Sequence, residues 1–556
     1  MSHTTHNKRF WPPHLPEKLN YPQTSLDFNL TVSARRFPDR TFISFYGTDI
    51  TWGEADTDVT RIAAFLQQSC KLQRGDRVVL YSQNSPQFIL AFYGILRAGG
   101  VVVPVNPMNV SSELAYYVKD SEAKIAFCAQ ELMPNIIALP KGTLESVIGF
   151  TYSDYICNSS VPVPEAAKQS RVTFDSTLVT SWQDVLRTSA IFVPPTIGPD
   201  DLAVLPYTSG TTGNPKGCMH THGSVMATAV GFAIWEHLSP ESTMLTVAPM
   251  CHATGMQIGM NRCVYAGATI VLMQRWDPAA AGVLIEQYQC THWNSVPVMA
   301  VDLLMHPETA KRDLSSLRVV SGGGAAMPKA MAEKLWTDLG LRFIEGYGMT
   351  ETICQTHLNP IERPKEQCLG IPSFDVEAII VDPETHRVLP VGEVGEIVVR
   401  GPQLLKGYWH NEAAYMESWI EVDGRSWFRT GDLGYVDDEG YFFFADRLKR
   451  MINASGFKIW PAEVEAVMYG HPDIRECCVI ASPDQRRGET VKAVIVLNDA
   501  ISEDRDIATE ITSWAQSKMA AYKVPRKIEF VKELPRGSSG KLDWRKLQEG
   551  EFTKPL

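Results

Sequence analysis

The chain has 556 residues, too many for one ordinary hydrophobic core, so we expect several packed lobes. Apolar residues make up 44% of it and charged residues 21%, which excludes extended disorder and is typical of a globular protein. The formal charge of −11, with acidic and basic residues interspersed, excludes the basic surface that nucleic-acid binding requires.

The sequence contains neither an export signal nor a membrane span. The N-terminal segment MSHTTHNKRFWPPHLPEK lacks the apolar stretch of a signal peptide, and the longest apolar stretch, 88–105, is interrupted by Arg97 and by Pro104. The 11 cysteines form no Cys-x-x-Cys pair, which favours reduced thiols. We therefore expect a cytoplasmic protein with no transmembrane segment.

Alternating strand and helix patterns run from about residue 40 to residue 450. RVVLYSQ at 77–83 predicts a strand, PQFILAFYGILRAG predicts a helix, and VVVPV at 101–105 predicts a second strand that ends at its proline. Similar units recur around AVLPYTS, TMLTVAPM and ATIVLMQRW. This rhythm predicts an α/β fold with a large N-terminal domain of βαβ units and parallel sheets.

The pattern changes after GYFFFADRLKRMI. PAEVEAVMYG predicts a helix, ECCVIASPD and VKAVIVL predict strands, a helix capped by Ser502 follows, and KIEFVKELP predicts a last strand before a polar tail. We therefore predict a large domain over 1–446, a hinge at 447–450 and a smaller, mobile C-terminal α+β domain over 451–556.

The string YTSGTTGNPKG at 207–217 follows the apolar strand pattern AVLPY. It gathers hydroxyls, glycine amides and the cation of Lys216 at a strand end, an arrangement that suits phosphate binding. It is not a Walker loop, because Pro215 precedes the lysine and Gly217 follows it. A flexible surface loop is the alternative that a shorter match would favour.

Further motifs follow this loop in order: SGGGAAMP at 321–328, GYGMTE at 346–351, GE-x-GEI-x-x-RGP at 392–402, RTGDLG at 429–434, DRLKRMI at 446–452 and PRGSSGK at 535–541. Together they resemble the motifs of the adenylate-forming (ANL) superfamily, which includes acyl-CoA synthetases, adenylation domains and firefly-type luciferases. The resemblance covers nearly the whole chain. It implies an AMP-forming acid–thiol ligase that uses ATP, Mg²⁺ and coenzyme A.

The resemblance also implies a nucleotide site. Tyr347 is expected to stack on adenine, and Asp432 is expected to accept hydrogen bonds from the ribose hydroxyls. The hydroxyl of Thr350 is expected to contact a phosphate as a catalytic group. Glu351 is the expected catalytic carboxylate that binds Mg²⁺, because this ion prefers one or two carboxylates plus phosphate oxygens. The other expected ATP and AMP contacts are Thr208, Ser209, Gly210, Thr211, Thr212, Lys216, Gly324 and Arg447.

Catalysis by two domains is implied as well. Lys541 is expected to bridge the acid's carboxylate and the α-phosphate, so that a preplaced cation meets the charge that develops on phosphorus. Rotation of the small domain about Lys449 then withdraws this lysine. The same rotation presents the residues expected to bind coenzyme A, namely Ser455, Gly456 and Lys458.

The choice of acid is expected to depend on His252, Val296, Gly322 and Gly323 as acyl-binding residues. His252 stands where amino-acid-activating relatives typically carry an aspartate, which argues against an α-amino acid. Small residues leave room for a chain, and each buried methylene contributes about 0.8 kcal/mol, which favours a medium- or long-chain fatty acid. An aryl acid such as coumarate or benzoate is the alternative, since glycines also admit flat rings.

Three other functions compete with a CoA ligase. Transfer of the acyl group to a separate carrier protein would use the same pantetheine arm. A luciferase-like oxygenase would form the same adenylate and then oxidise it. A nucleotide-sensing scaffold would not need Lys541. We expect small-molecule partners, and a homodimer is compatible with the sequence.

Overall fold

The computed structural model describes residues 10–157, 159–174, 176–208, 215–324, 326–454, 457–484, 488–498, 506–536 and 542–553, without side chains at 457, 458 and 488. The backbone forms two compact units. The first comprises Met1–Ala378, Val399–Trp419 and Glu439–Phe442, and the second comprises Ile379–Val398, Ile420–Asp438 and Phe443–Leu556. The second unit thus includes two segments that precede 446. A hinge at 447–450 stays a prediction.

A nine-stranded mixed sheet forms one half of the first unit. In spatial order its strands are Ile371–Pro372, Cys354–Leu358, Phe343–Met349, Val319–Gly323, His292–Ser295, Thr243–Thr246, Thr269–Leu272, Thr41–Phe45 and Thr48–Thr51. The six strands from Phe343–Met349 to Thr41–Phe45 run parallel. Their carboxyl ends therefore share one edge, where ligands bind in open sheets of this kind.

A second mixed sheet completes this unit. Its strands, in spatial order, are Gly407–Tyr408, Lys216–Thr221, Leu202–Val204, Val101–Val105, Arg77–Tyr81, Ile125–Ala129, Ser146–Phe150 and Val179–Ser181, with Tyr207–Thr208 paired beside Lys216–Thr221. The predicted strand over 101–105 is confirmed, and Pro104 is the residue before its last one. The neighbouring strand Leu202–Val204 pairs with this strand only at Val102 and ends there. Pro104, which lacks an N–H, therefore has no strand partner on that side in the described chain, and no hydrogen bond of the sheet is lost.

Helices connect these strands and bury their apolar faces. Pro86–Arg97, a predicted helix, begins where the Ser85 hydroxyl accepts from the Phe88 amide, and every one of its residues is buried. The helices of this unit are Phe28–Arg36, Trp52–Gln68, Pro86–Arg97, Ser111–Ser121, Met133–Ile137, Glu165–Lys168, Trp182–Leu186, His222–Trp235, the π-helix Gly255–Asn261, Arg262–Ala266, Pro278–Tyr288, Pro297–Met305, Lys329–Leu339 and Glu412–Glu417.

A five-stranded sheet is built from residues between 377 and 447. Its strands are Glu377–Val381, Gly395–Arg400, Arg425–Val436 and Trp419–Val422 in spatial order, with Phe442–Arg447 paired to Arg425–Val436. Within the second unit, the side chains of Ile379, Val398 and Trp427 form a small apolar cluster. The RTGDLG motif thus lies within a long strand of this sheet.

The C-terminal part of the second unit has the predicted α+β composition. Its strands are Phe457–Ile459, Ile452–Ala454, Gly488–Leu497 and Ile474–Asp484 in spatial order, with Lys527–Phe530 parallel to Gly488–Leu497, and its helices are Pro461–Met468, Ile507–Lys518 and Trp544–Phe552. In the described chain no helix is both long enough and apolar enough to span a membrane.

One local prediction for this region was wrong, and one helix was missed. The helix expected to be capped by Ser502 begins at Ile507, and the Asp506 side chain caps it by accepting from the Thr509 amide. The expected polar tail contains the helix Trp544–Phe552, whose Trp544 and Leu547 pack on an apolar cluster of the sheet. Residues 544–552 include four charged side chains and few apolar ones. The apolar periodicity that indicates a helix is therefore weak in this segment.

Candidate functional site

The predicted phosphate loop starts and ends on two paired strands. Thr208 lies opposite Lys216, and Tyr207 lies opposite Gly217, in an antiparallel pair. A Cβ on Gly217 would come within 3.2 Å of the Tyr207 ring, so this position is tightly packed. Between the strands, Ser209, Gly210, Thr211 and Thr212 lie outside the described residues.

Tyr408 connects Lys216 to Glu351. The ammonium of Lys216 lies 4.9 Å from the centroid of the Tyr408 ring, a cation–π distance. The Tyr408 hydroxyl donates to Oε1 of Glu351 at 3.0 Å. Burial and the charge of Glu351 raise the pKa of Tyr408 far above its usual value, so the hydroxyl keeps the proton that it donates. A cation and a carboxylate are thereby held on one aromatic side chain.

The GYGMTE motif ends in a strained turn. Glu351 lies in a single 3₁₀ turn, Thr350–Thr352, and the next two residues, Ile353 and Cys354, have φ values of +40° and +108°. Such angles are unusual for non-glycine residues, and above all for a β-branched one, and they concentrate at functional sites. A Cβ on Gly348 would lie 1.3 Å from the Cys354 carbonyl oxygen, so only glycine fits there.

A buried histidine fixes the same turn. Nε2 of His220 lies 2.7 Å from the carbonyl oxygen of Thr350. Burial lowers the pKa of His220 to about 4, so the ring is neutral near pH 7. A carbonyl only accepts, hence the ring carries its proton on Nε2 and donates it to Thr350. His220 follows Lys216 on one strand, which links the phosphate loop to the GYGMTE turn.

Tyr347 and the glycines of SGGGAAMP meet at the carboxyl edge of the parallel strands. Gly323 pairs with Gly346, next to Tyr347, and Gly324 follows with φ +83°. A Cβ on Gly322 would lie 2.0 Å from the Ser295 carbonyl oxygen, and one on Gly323 would lie 2.5 Å from that of Gly346. Close strand packing therefore explains glycine at both positions. Acyl binding by these residues stays a prediction.

The other expected acyl residues follow the ends of neighbouring strands. Val296 lies between strand His292–Ser295 and helix Pro297–Met305. His252 is half-buried, and its Nε2 lies 3.5 Å from Nδ2 of Asn106, the outer limit of a hydrogen bond. The π-helix Gly255–Asn261 begins three residues after His252, and such helices are frequent at functional sites.

Two residues that are predicted to bind the nucleotide, Asp432 and Arg447, lie side by side in the second unit. Nε of Arg447 lies 3.2 Å from Oδ1 of Asp432. The Asp432 side chain is 8% exposed, whereas that of Arg447 is 50% exposed. Gly431 has φ +71°, and its amide donates to Glu396. A buried carboxylate beside a partly exposed guanidinium is a suitable acceptor for hydroxyl groups.

The residues that flank Lys449 are anchored within the second unit. The buried carboxylate of Asp446 accepts from the backbone amides of Ala462 and Arg447, each at 2.6 Å. Arg450 pairs with Glu465 and donates to the Val479 carbonyl at 3.2 Å. In this conformation the segment is therefore fixed at both ends of the turn that contains Lys449.

The remaining predicted residues lie in or beside undescribed segments. Ser455 and Gly456 are outside the described residues, and only the backbone of Lys458 is described, in strand Phe457–Ile459. Lys541 also lies outside them. Arg536 and Leu542, which flank the undescribed residues, form an isolated antiparallel bridge.

Comparison with known proteins shows to which family the chain belongs. The profile of the family described as "AMP-binding enzyme" matches residues 30–409, and that of the "AMP-binding enzyme C-terminal domain" matches residues 463–541. The chain belongs to the AMP-binding enzyme family. This assignment confirms the predicted membership of the adenylate-forming superfamily, the predicted α/β fold and the prediction of an acid–thiol ligase.

Relatives of this AMP-binding enzyme match along nearly their whole length. A long-chain-fatty-acid–CoA ligase of Bacillus subtilis is 37% identical, over 97% of this chain and 97% of its own. A feruloyl-CoA synthase of an Amycolatopsis species is 35% identical, over 92% of this chain and 95% of its own. The crystal structure of ATP-bound MatB from Rhodopseudomonas palustris has a TM-score of 0.82 and 27% identity, covering 95% of this chain and 99% of that one.

Sequence reasoning missed two side chains of this AMP-binding enzyme, Tyr408 and His220. Tyr408 lies in LLKGYW, just after the RGP motif, and His220 lies in the string MHTHG that follows the phosphate loop. An aromatic residue and a pair of histidines next to recognised motifs were the available signals. Neither residue type has a fixed chemistry, so only the fold reveals their contacts with Glu351 and Thr350.

Proposed function

We propose that this AMP-binding enzyme activates a medium- or long-chain fatty acid with ATP and transfers the acyl group to coenzyme A. In the first step a carboxylate oxygen of the acid attacks the α-phosphorus, and pyrophosphate leaves. In the second step the thiolate of coenzyme A attacks the acyl carbon, and AMP leaves. The observation that carries adenylation is the joint fixation of Lys216 and Glu351 by Tyr408.

The proposed roles follow from the chemistry of each side chain. Lys216 and the loop that it ends would neutralise phosphate oxygens, and Tyr347 would support adenine. Glu351 offers hard carboxylate oxygens and would hold Mg²⁺, which when bound neutralises phosphate charge. Tyr408, protonated beside it, would keep this carboxylate oriented and ionised. Asp432 would accept from the ribose hydroxyls.

The small domain would supply the remaining chemistry. Lys541 would stabilise the charge that develops at the α-phosphorus, and rotation about Lys449 would exchange it for the coenzyme A segment from Ser455 to Lys458. Rotation about Lys449 would have to break the hydrogen bond from the Ala462 amide to Asp446, because these two residues lie on opposite sides of the turn Leu448–Arg450.

The proposal of a fatty acid is supported by the Bacillus subtilis ligase, which is 37% identical over 97% of both chains. Close packing of Gly322 and Gly323 removes the earlier argument that their small size makes room for an acyl chain. The half-buried His252 and Val296 are then the remaining candidates for contact with the acid.

A hydroxylated aryl acid is the second candidate, and a specific observation favours it. Oδ1 of Asn294 and Oγ of Ser295, directly before Val296, are buried and have no hydrogen-bond partner among the described residues. An unpaired buried polar atom costs about 1–3 kcal/mol, so a hydrogen bond from a polar group of the substrate would add binding free energy there. The feruloyl-CoA synthase relative is consistent with such an acid.

Acid-dependent release of pyrophosphate tests the proposal. Acetate, octanoate, palmitate, benzoate and ferulate are compared with ATP, Mg²⁺ and coenzyme A, and AMP and the thioester are quantified. A preference for octanoate or palmitate supports the fatty-acid proposal, whereas a preference for ferulate supports the second candidate. Release of ADP instead of AMP would refute both.

A further inference from the structure

We propose that His14, His237 and Glu362 form a binding site for a divalent transition metal, with Zn²⁺ the best match. Nε2 of His14 lies 3.4 Å from Oε1 of Glu362, and Nε2 of His237 lies 3.7 Å from the same oxygen. One ligand atom of each residue lies within 4.8 Å of those of the other two. All three residues belong to the first compact unit.

The distances from the two histidine nitrogens to the Glu362 oxygen suit a tetrahedral ion. Zn²⁺ binds histidine nitrogen and carboxylate oxygen at about 2.0–2.2 Å, so two ligand atoms of one tetrahedron lie about 3.4 Å apart. The two observed distances, 3.4 and 3.7 Å, are close to this value. Two imidazoles and one carboxylate leave the fourth position to water, and imidazole ligands suit zinc, copper, iron and nickel better than magnesium.

The three residues come from separate segments, and each segment is fixed by contacts of its own. His14 belongs to the N-terminal arm, residues 10–21, in which the Trp11 ring packs edge-on against Trp235 and Phe374. His237 lies two residues after helix His222–Trp235, with φ +55°. Contacts within the protein therefore fix the segments that carry the three donors.

Glu362 lies in a turn in which the Arg363 amide donates to the Pro360 carbonyl at 3.2 Å. The guanidinium of Arg363 lies 4.4 Å from the Phe10 ring of the N-terminal arm. A metal bound to Glu362 and His14 would therefore add a coordinate link to a contact that already exists. The predicted consequence is a stiffer N-terminal arm, with no direct part in catalysis.

A bound metal explains this arrangement better than ion pairing alone. Side chains at His14, His237 and Glu362 are 40%, 49% and 54% exposed, and exposed ion pairs are worth about 0–1 kcal/mol. The rings of His14 and His237 are only 4.9 Å apart, which is unfavourable when both are charged. Two neutral imidazoles around a shared metal avoid that repulsion.

Titration of the metal-stripped protein with Co²⁺, followed by displacement with Zn²⁺, tests the site. Tetrahedral Co²⁺ with nitrogen and oxygen ligands absorbs strongly in the visible region, so binding is read without any assay of activity. The variants are His14→Ala, His237→Asn and Glu362→Gln. Asparagine is chosen at 237 because it tolerates a positive φ.

His410→Asn is the matched control. His410 also has a positive φ, +51°, and its Nε2 lies 3.6 Å from Glu122, yet within the described chain it belongs to no three-ligand group. His3→Ala/His6→Ala removes the imidazoles that precede the described residues and should leave the visible band intact.

The expected result is one equivalent of tetrahedral Co²⁺ in the wild type. Each of the three site variants should weaken Zn²⁺ binding by about tenfold or more, and the two control variants should not. Hydrogen exchange of amides 11–21 should slow with Zn²⁺ in the wild type and remain unchanged in His14→Ala. A wild type that binds Co²⁺ no better than the three variants, or that loses its band in His3→Ala/His6→Ala, would overturn the proposal.

Discussion

The hydroxyl of Tyr408 donates a 3.0 Å hydrogen bond to the carboxylate of Glu351, and the same ring carries the ammonium of Lys216. The phosphate-loop motif and the GYGMTE motif are therefore linked to each other within the protein. They share a side chain from a third segment, 57 residues beyond Glu351. Changes at Tyr408 should accordingly affect adenylation as strongly as changes in either motif.

Tyr408→Phe removes the hydroxyl and keeps the ring for Lys216. A hydrogen bond to a charged acceptor contributes about 1.5–3 kcal/mol, so kcat/KM for ATP should fall about 10- to 100-fold in the pyrophosphate-release assay. Tyr408→Leu also removes the cation–π contact and should be worse. Tyr469→Phe, which removes a hydroxyl in the second unit, is the control and should be neutral for this step. Equal activity of Tyr408→Phe and wild type would contradict the proposed role.

Lys541→Ala should separate the two half-reactions. Loss of one electrostatic partner of the transition state typically costs about a hundredfold or more, so adenylation should collapse. Thioester formation from a supplied acyl-adenylate should stay close to the wild-type rate, because the proposed rotation removes this lysine before that step. Lys532→Ala, an exposed lysine of the same unit, is the control. Equal loss in both half-reactions would rule out the rotating-domain scheme.

Lys492→Met should destabilise the second unit. Lys492 is buried and pairs with the partly exposed Glu529 and, at 2.6 Å, with the buried Glu551 of helix Trp544–Phe552. The variant therefore leaves the buried Glu551 carboxylate without its cation. The expected cost is about 3–5 kcal/mol in the free energy of unfolding by urea. Lys492→Met/Glu551→Leu removes the stranded charge and should recover much of the loss. Failure of the double variant to recover would show that the ion pair is not the cause.

Glu345→Gln should stabilise the protein above neutral pH. Burial raises the pKa of Glu345 to about 7, against a weaker lowering by the amides of Met327 and Gln367. The folded state therefore holds this proton more tightly than the unfolded state, and stability falls as pH rises from about 4.5 to 7.

Glutamine still accepts both amides at Oε1 and carries no charge. The gain should reach up to about 3 kcal/mol above pH 7 and vanish near pH 4, as measured by urea unfolding at a series of pH values. The exposed Glu333→Gln is the control. A gain that is constant with pH would exclude titration of Glu345 as its origin.

His357→Phe should reduce the sensitivity of the first unit to acid. Burial lowers the pKa of His357 to about 3, from an ordinary value of 6.5. The unfolded state then binds the proton first, so stability present above pH 6.5 is lost as pH falls towards 3. Phenylalanine keeps an aromatic ring near Phe442, 4.6 Å away in the wild type, and cannot titrate. The slope of unfolding free energy against pH between 4 and 6.5 should become shallower; an unchanged slope would contradict this origin.

Much of the fold was predictable from local patterns. Residues 78–81 and Val101–Val105 are continuous apolar runs because strands of a parallel sheet are buried on both faces. Helix Pro86–Arg97 carries its start signals, a serine cap and an early proline, in the sequence itself. Short-range chemistry suffices for elements of this kind.

Contacts between distant segments were not predictable in the same way. Asp506 and Ser502 are both good caps, and the choice depends on where the helix packs. Glycine at 322 suggested open space, whereas the fold fills that space with the Ser295 carbonyl. The absence of a side chain records close approach as readily as a cavity, and only the neighbouring strand distinguishes the two.

The pairing of Thr208 with Lys216 has a consequence for engineering the loop between them. Changes at Ser209, Thr211 or Thr212 would alter groups that are proposed to hold phosphate. A shift of the pairing by a single residue would instead turn the Lys216 side chain to the opposite face of the sheet, away from Tyr408. We therefore expect both the loop residues and the strand register to be constrained in this enzyme.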